Sequence, residues 1–170
     1  MKQKFSSLES EITQCEKCRR LRRYCMKIAQ NKRRAYENEE YWGKPISGFG
    51  DKNARLIIIG LAPGAHGANR TGRIFTGDRS GEWLYRALFK AKFSNQKESV
   101  RASDHLELTD AYITCVVKCA PPDNKPTPNE TKNCLPYLEN ELALLRQKKI
   151  FICLGKFALD GLWASLGAGE

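Results

Sequence analysis

A chain of 170 residues, 41% hydrophobic and 28% charged, is long enough for one domain with its own core and too evenly mixed for a disordered or fibrous protein. Its longest apolar run, about Leu56 to Ala62, is too short to span a bilayer, and the N-terminal stretch MKQKFSSLESEITQ lacks the apolar segment of a secretory signal. These features exclude a membrane protein and point to the cytoplasm, while 29 Lys and Arg against 19 Asp and Glu, a formal charge of +10, favour a polyanionic partner without naming it.

Seven cysteines in a chain without an export signal argue for metal or reactive sites over a disulfide framework. Cys15 and Cys18 form a CxxC pair near the start, and two thiolates on one turn can chelate a metal if another part of the fold completes the set. Cys119 and Cys134 lie far downstream in VVKCAPPDNKPTPNETKNC. Cys25, Cys115 and Cys153 sit in apolar patterns and read as small buried hydrophobes.

From about Cys18 to Tyr41 the periodicity predicts a long helix, with Leu21, Tyr24, Cys25, Ile28 and Ala29 recurring at helical spacing between basic residues. Between Lys17 and Arg34 stand nine Lys or Arg and no acid, a face that could lie along phosphates or simply be solvated. The stretch WGKPISGFGDKN is a loop leading into a strand at about Ala54 to Ile59, apolar enough to be buried on both faces. GLAPGAHGANRTGRIFTGDRSG, residues 60–81, follows directly and holds six of the thirteen glycines. It matches neither a Walker loop nor a dinucleotide fingerprint. It is either a generic glycine-rich turn or a loop that approaches a flat, neutral ligand closely, with His66, Arg70, Arg73, Phe75 and Asp78 as its distinctive side chains.

A helix starts near Ser80 with Trp83, Leu84, Ala87 and Leu88 on one side. DAYITCVVK is a second buried strand, and Thr127-Pro-Asn-Glu130 opens a helix with a capping box and a first-turn proline. Leu135, Leu138, Leu142 and Leu145 form its buried stripe, KIFICLG is a third strand and KFALDGLW begins another helix. The strand–helix alternation predicts an α/β fold with a parallel sheet, in one domain over residues 1–170 whose N-terminal helical part, 1–50, carries the CxxC. Ligands of such sheets bind beyond the carboxyl ends of the strands, where the glycine-rich loop stands.

The glycine-rich stretch resembles the first signature motif of the family 5 uracil-DNA glycosylases, and the likeness extends to DAYITCVVKCAPPDNKPTP and ICLGKFALDGLW, over nearly the whole chain. The resemblance implies a three-layer α/β/α sandwich around a four-stranded parallel sheet. It also implies a [4Fe-4S] cluster on Cys15, Cys18, Cys119 and Cys134, and hydrolysis of the bond between a deaminated base and its deoxyribose in DNA. Four thiolates could equally hold zinc, so the resemblance and not coordination chemistry favours the cluster. It implies further that Gly60, Leu61, Ala62, Pro63, Gly64, Ala65 and His66 wall a pocket for a flipped base. Phe75 would stack on that base for about 1 to 3 kcal/mol, and Arg70 and Arg73 would steady flanking phosphates. Asp78 would orient water and stabilise the sugar cation, with helix capping as the alternative. Asn124 would read the base, with a turn role as the alternative.

Three departures stand against the family pattern. Ile74 replaces a usual proline, and Cys115 stands where the neighbouring family 4 branch carries a base-reading Asn. A second motif of the His-Pro-Ser type does not occur: the only histidines are His66 and His105, and His105 lies in the polar segment SDHLEL. The family's last strand is expected to be missing with it. KIFICLG then becomes an exposed edge, and the full fold's monomer gives way to self-association and poor base release. The alternatives are a noncatalytic iron-sulfur protein that binds nucleic acid and, third, a redox or zinc protein unrelated to DNA.

Overall fold

The computed structural model describes residues 4–167. Helix α1 (Phe5–Thr13) buries Leu8 and Ile12, and α2 (Arg19–Gln30) buries Leu21, Arg22 and Cys25. The long helix expected to reach Tyr41 stops at Gln30. Beyond Ala29 no large apolar side chain recurs at helical spacing, and the chain passes through one 3₁₀ turn, Arg34–Tyr36, into irregular backbone. The segment read as a loop contains a two-residue strand, β1 (Phe49–Gly50), too short to carry a period.

The sheet is built on β2 (Leu56–Gly60), which is parallel to β3 (Ala111–Cys115) on one side and to β4 (Ile150–Cys153) on the other, with β1 antiparallel to β3, in the order β1-β3-β2-β4. Its faces separate by residue parity. Ile57, Ile59 and Tyr112 pack with α1, α2 and the helices α5 (Pro128–Leu144) and α6 (Lys156–Ser165). Leu56, Ile58, Ala111, Ile113 and Cys115 face α3 (Ala68–Thr71) and α4 (Arg79–Lys90). That alternation is the physical basis of the α/β/α sandwich. β4 is an edge strand with Ile150 and Ile152 exposed.

The α5 capping box forms as its sequence dictates: the Thr127 hydroxyl accepts the Glu130 N–H, and Glu130 accepts the Thr127 N–H at 2.8 Å. Arg20 then grips Glu130 with two hydrogen bonds of 2.8 and 2.7 Å, fastening α2 to α5. Cys134, Tyr137 and Glu141 share the buried face of α5 with Leu138 and Leu142, while Leu135 is only half-buried. On α4 the buried stripe is Gly81, Tyr85 and Leu88. Trp83, expected inside, is 65% exposed and Ala87 also faces outward, because the stripe is centred on Tyr85, whose hydroxyl donates to the Ile74 carbonyl. Lys118 and Glu141, each 1% exposed, form a sealed ion pair of 2.6 Å that Thr114, the Cys115 carbonyl and the Gly48 N–H complete.

Candidate active site

The carboxyl ends of the three parallel strands open into a cavity of about 1020 Å³. The segment after β2 contributes Gly60, Leu61, Ala62, Gly64, Ala65, His66 and Gly67, and the segment before α4 contributes Phe75 and Asp78. Pro121, Asp123 and Asn124 come from beyond β3 and Leu154 from beyond β4. Pro63 is buried beneath the loop and does not line the cavity.

The glycines make room first for the protein's own groups. A Cβ on Gly60 would stand 2.8 Å from the Phe75 ring and 3.1 Å from the Cys115 sulfur, so only glycine lets that ring lie against the end of β2. A Cβ on Gly67 would fall 1.9 Å from Oδ2 of Asp78. Phe75 itself has φ of +51°, a left-handed conformation uncommon for a bulky residue, which the surrounding structure must enforce.

Asp78 does two things with two oxygens. Oδ1 caps α4 by accepting the Gly81 N–H at 2.9 Å, while Oδ2 is turned into the glycine loop and has no hydrogen-bond partner among the described residues. Cys115, where a polar base-reading residue was the alternative, is buried, and burial pushes its thiol up to about 12, so it offers neither a carboxamide nor a nucleophile. Asn124 lines the cavity from a 3₁₀ turn, Pro122–Asn124, in which Asp123 and Asn124 both have positive φ.

Arg70 and Arg73 do not stand where the sequence reading put them. Both are buried, 6% and 5% exposed, and their guanidiniums are consumed inside the protein. Arg70 bonds Glu39 and the carbonyls of His66 and Gly77, and stacks on Tyr36 at 3.9 Å. Arg73 pairs with Asp104 at 2.7 Å and bonds Thr76. They brace the loop and present no charge to a phosphate. Arg22 on α2 is likewise buried against Glu16 and the Gly43 carbonyl. The cations at the cavity rim are instead the exposed Arg33 and Arg79, beside Trp83. Arg79 directly follows Asp78, and Leu154 follows a strand end, signals that the strand-end rule applied to every parallel strand would have caught.

Cys119 and Cys134 are buried in the core that packs α1, α2, α5 and α6, and Cys15 and Cys18 are half-buried against the same cluster. Asn133 donates to the Cys18 sulfur at 3.5 Å and the Lys118 N–H to the Cys134 sulfur at 3.4 Å. Burial pushes the Cys134 thiol up to about 11. Among the described residues no three His, Cys, Asp or Glu side chains are grouped so as to hold a metal ion. No helix among them is long and apolar enough to cross a membrane.

Fold and cavity together define an α/β protein that holds a flat ring between backbone and an aromatic face, beside a carboxylate and under a cationic rim. Residues 47–168 match the model of the uracil DNA glycosylase superfamily. The chain is 47% identical over 156 residues to the type-5 uracil-DNA glycosylase of Thermus thermophilus, covering 92% of this chain and 70% of that protein. It is 48% identical over 152 residues to the type-5 enzyme of Mycobacterium tuberculosis, covering 89% of this chain but only 57% of that protein. To the type-4 uracil-DNA glycosylase of Archaeoglobus fulgidus it is 35% identical over 114 residues, 66% of this chain and 49% of that protein. The chain belongs to the uracil DNA glycosylase superfamily, base-excision repair hydrolases of N-glycosyl bonds that act on DNA, and it resembles the type-5 branch.

Proposed function

We propose that the chain excises uracil or another deaminated base from DNA, taking the flipped base into the strand-end cavity and hydrolysing its N-glycosyl bond. One observation carries this reading: glycines at 60 and 67 admit the Phe75 ring and the Asp78 carboxylate to one cavity, an aromatic face for a base beside a free carboxylate oxygen for a sugar cation. As the bond breaks, positive charge develops on the sugar and negative charge on the base. Oδ2 of Asp78, left free by the cap on Oδ1, stabilises the first and orients the attacking water. Phe75 stacks on the base, Gly60, Leu61, Ala62, Gly64 and Ala65 supply a close backbone wall, and Asn124 reaches the base edge from the β3 side. Arg33 and Arg79 at the rim, not Arg70 and Arg73, meet the phosphates. The reaction belongs in the cytoplasm, and the exposed face of β4 supports self-association of this chain at high concentration.

The [4Fe-4S] cluster fits Cys15, Cys18, Cys119 and Cys134. They share one apolar wall, two of their sulfurs already accept N–H groups, and a cluster, with an iron for each thiolate, needs no convergence on one point as zinc does. When bound it supplies a covalent brace joining the α1–α2 turn to the segment after β3 and to α5. The test is binding to matched oligonucleotides carrying uracil or thymine at one position. Tighter binding of the uracil strand, with the preference erased in Phe75→Ala, supports the reading. Equal affinity for both strands would overturn it.

A further inference from the structure

His66 is the one histidine at the cavity, and both its ring and its main chain are held. Nδ1 lies 2.9 Å from the hydroxyl of Tyr41, whose ring meets the imidazole edge-on at 6.0 Å and 85°. The His66 carbonyl accepts Nε of Arg70 at 2.8 Å, and Arg70 is itself pinned by Glu39 and Tyr36. Nε2 has no partner among the described residues and is the nitrogen left to the cavity that the ring lines.

The surroundings decide which nitrogen carries the proton. Burial, with the Arg33 and Arg70 charges beside it, holds His66 below the ordinary imidazole value, so the ring is neutral and has one N–H. Burial likewise pushes the Tyr41 phenol up, so it keeps its proton. The Arg33 backbone N–H is directed at the phenol oxygen, which therefore already accepts one hydrogen bond. If Nδ1 were protonated and donated to that same oxygen, the phenolic proton of buried Tyr41 would have no acceptor, a costly arrangement. With the phenol donating to Nδ1 every group is satisfied and the imidazole proton stands on Nε2.

We propose that Tyr41 fixes His66 as a neutral imidazole protonated at Nε2, and that this N–H donates to a carbonyl oxygen of the base in the cavity. The proposal rests on the base-excision reading of that cavity. A neutral donor suits the task, since it steadies the charge gathering on the departing base without surrendering its own proton. His66 then touches the substrate, and Tyr41 is a positioning residue that acts through it.

Nitrogen-detected NMR of the full chain labelled at histidine tests both halves. With only His66 and His105 in the sequence, the two rings are separable, and exposed His105 serves as the internal reference. In the wild-type protein Nδ1 of His66 should read as bare and Nε2 as protonated, whereas His105 shows the mixed tautomers of a solvated ring. Tyr41→Phe should return His66 to that mixture. Wild-type His66 protonated at Nδ1, a reading that needs no variant, overturns the proposal. Free uracil is then titrated in, and the Nε2 signal should move while Nδ1 stays bare. Uracil that shifts the Gly60 and Phe75 amides but leaves Nε2 unmoved overturns the donor role alone. Uracil that moves no cavity signal overturns the base-excision reading and the donor role with it, whatever the tautomer.

Discussion

Asp78 carries two roles that a pair of substitutions separates. Its Oδ1 holds the Gly81 N–H at 2.9 Å as the cap of α4, and its Oδ2 lies in the space kept open at Gly64 and Gly67. Asp78→Ala removes both. Losing an N-cap costs about 0.5–2 kcal/mol, which for a domain of this size lowers Tm by about 2–4 °C per kcal/mol. Asp78→Asn keeps a side-chain oxygen for Gly81 and caps as well as Asp, so its stability should lie within a few tenths of a kcal/mol of wild type. It removes the charge facing the sugar, and losing one preorganised electrostatic group typically costs about 10²–10³ in rate. The assay pairs thermal melts with single-turnover strand scission after alkali treatment, on an oligonucleotide with one uracil. Asn should melt like wild type and release base at least a hundredfold more slowly, on that scale. An Asn variant that releases base at the wild-type rate, or that loses as much stability as Ala, would refute the division of labour between the two oxygens.

Protein purified without oxygen should be brown and carry iron and sulfide; Cys119→Ala should lose both while Cys153→Ser on the edge strand keeps them, as metal analysis and the visible spectrum would report. Lys118→Met leaves the Glu141 carboxylate buried without its cation and should cost about 3–5 kcal/mol in denaturant titrations. Removing Arg33 and Arg79 together should flatten the salt dependence of DNA binding by about 0.9 for each duplex phosphate the protein no longer neutralises, whereas Arg73→Ala should unsettle the loop. Asp104 resists burial with the Arg73 guanidinium and the Val100, Leu106 and Arg101 amides, which bring it down to about 2. Its stabilising contribution is therefore full above the ordinary carboxylate value of about 4 and is lost as pH falls toward about 2, so Asp104→Asn should flatten the acid limb of the stability curve there.

Local chemistry was legible in the sequence wherever one segment decides its own structure. Thr127 and Glu130 lie in one helical turn and form the capping box their spacing dictates, and the run Leu56–Ile59 announces a strand buried on both faces. What the sequence hides are partners brought from afar. Arg70 and Arg73 look like free cations until Glu39 and Asp104, each 31 residues away along the chain, are folded onto them. Arg20 is claimed by Glu130 across 110 residues, which leaves less of the basic face of α2 for phosphates than the charge run suggests. The α4 stripe was misplaced by a quarter turn, because tyrosine reads as amphipathic and tryptophan as apolar while the fold buries Tyr85 and leaves Trp83 at the rim. Nor could spacing show that the glycines serve Phe75 and Asp78 before any ligand, since that depends on loop geometry.

The most direct test of base excision in this cavity is the fate of the DNA itself. Wild-type protein in excess is incubated with single- and double-stranded oligonucleotides carrying one uracil, beside thymine controls, and the products are weighed by mass spectrometry. Free uracil and an abasic strand should appear from the uracil substrate and not from the thymine control, and Phe75→Ala should lower the yield. An intact uracil strand after prolonged exposure to DNA-bound protein, or equal loss of thymine, would contradict it.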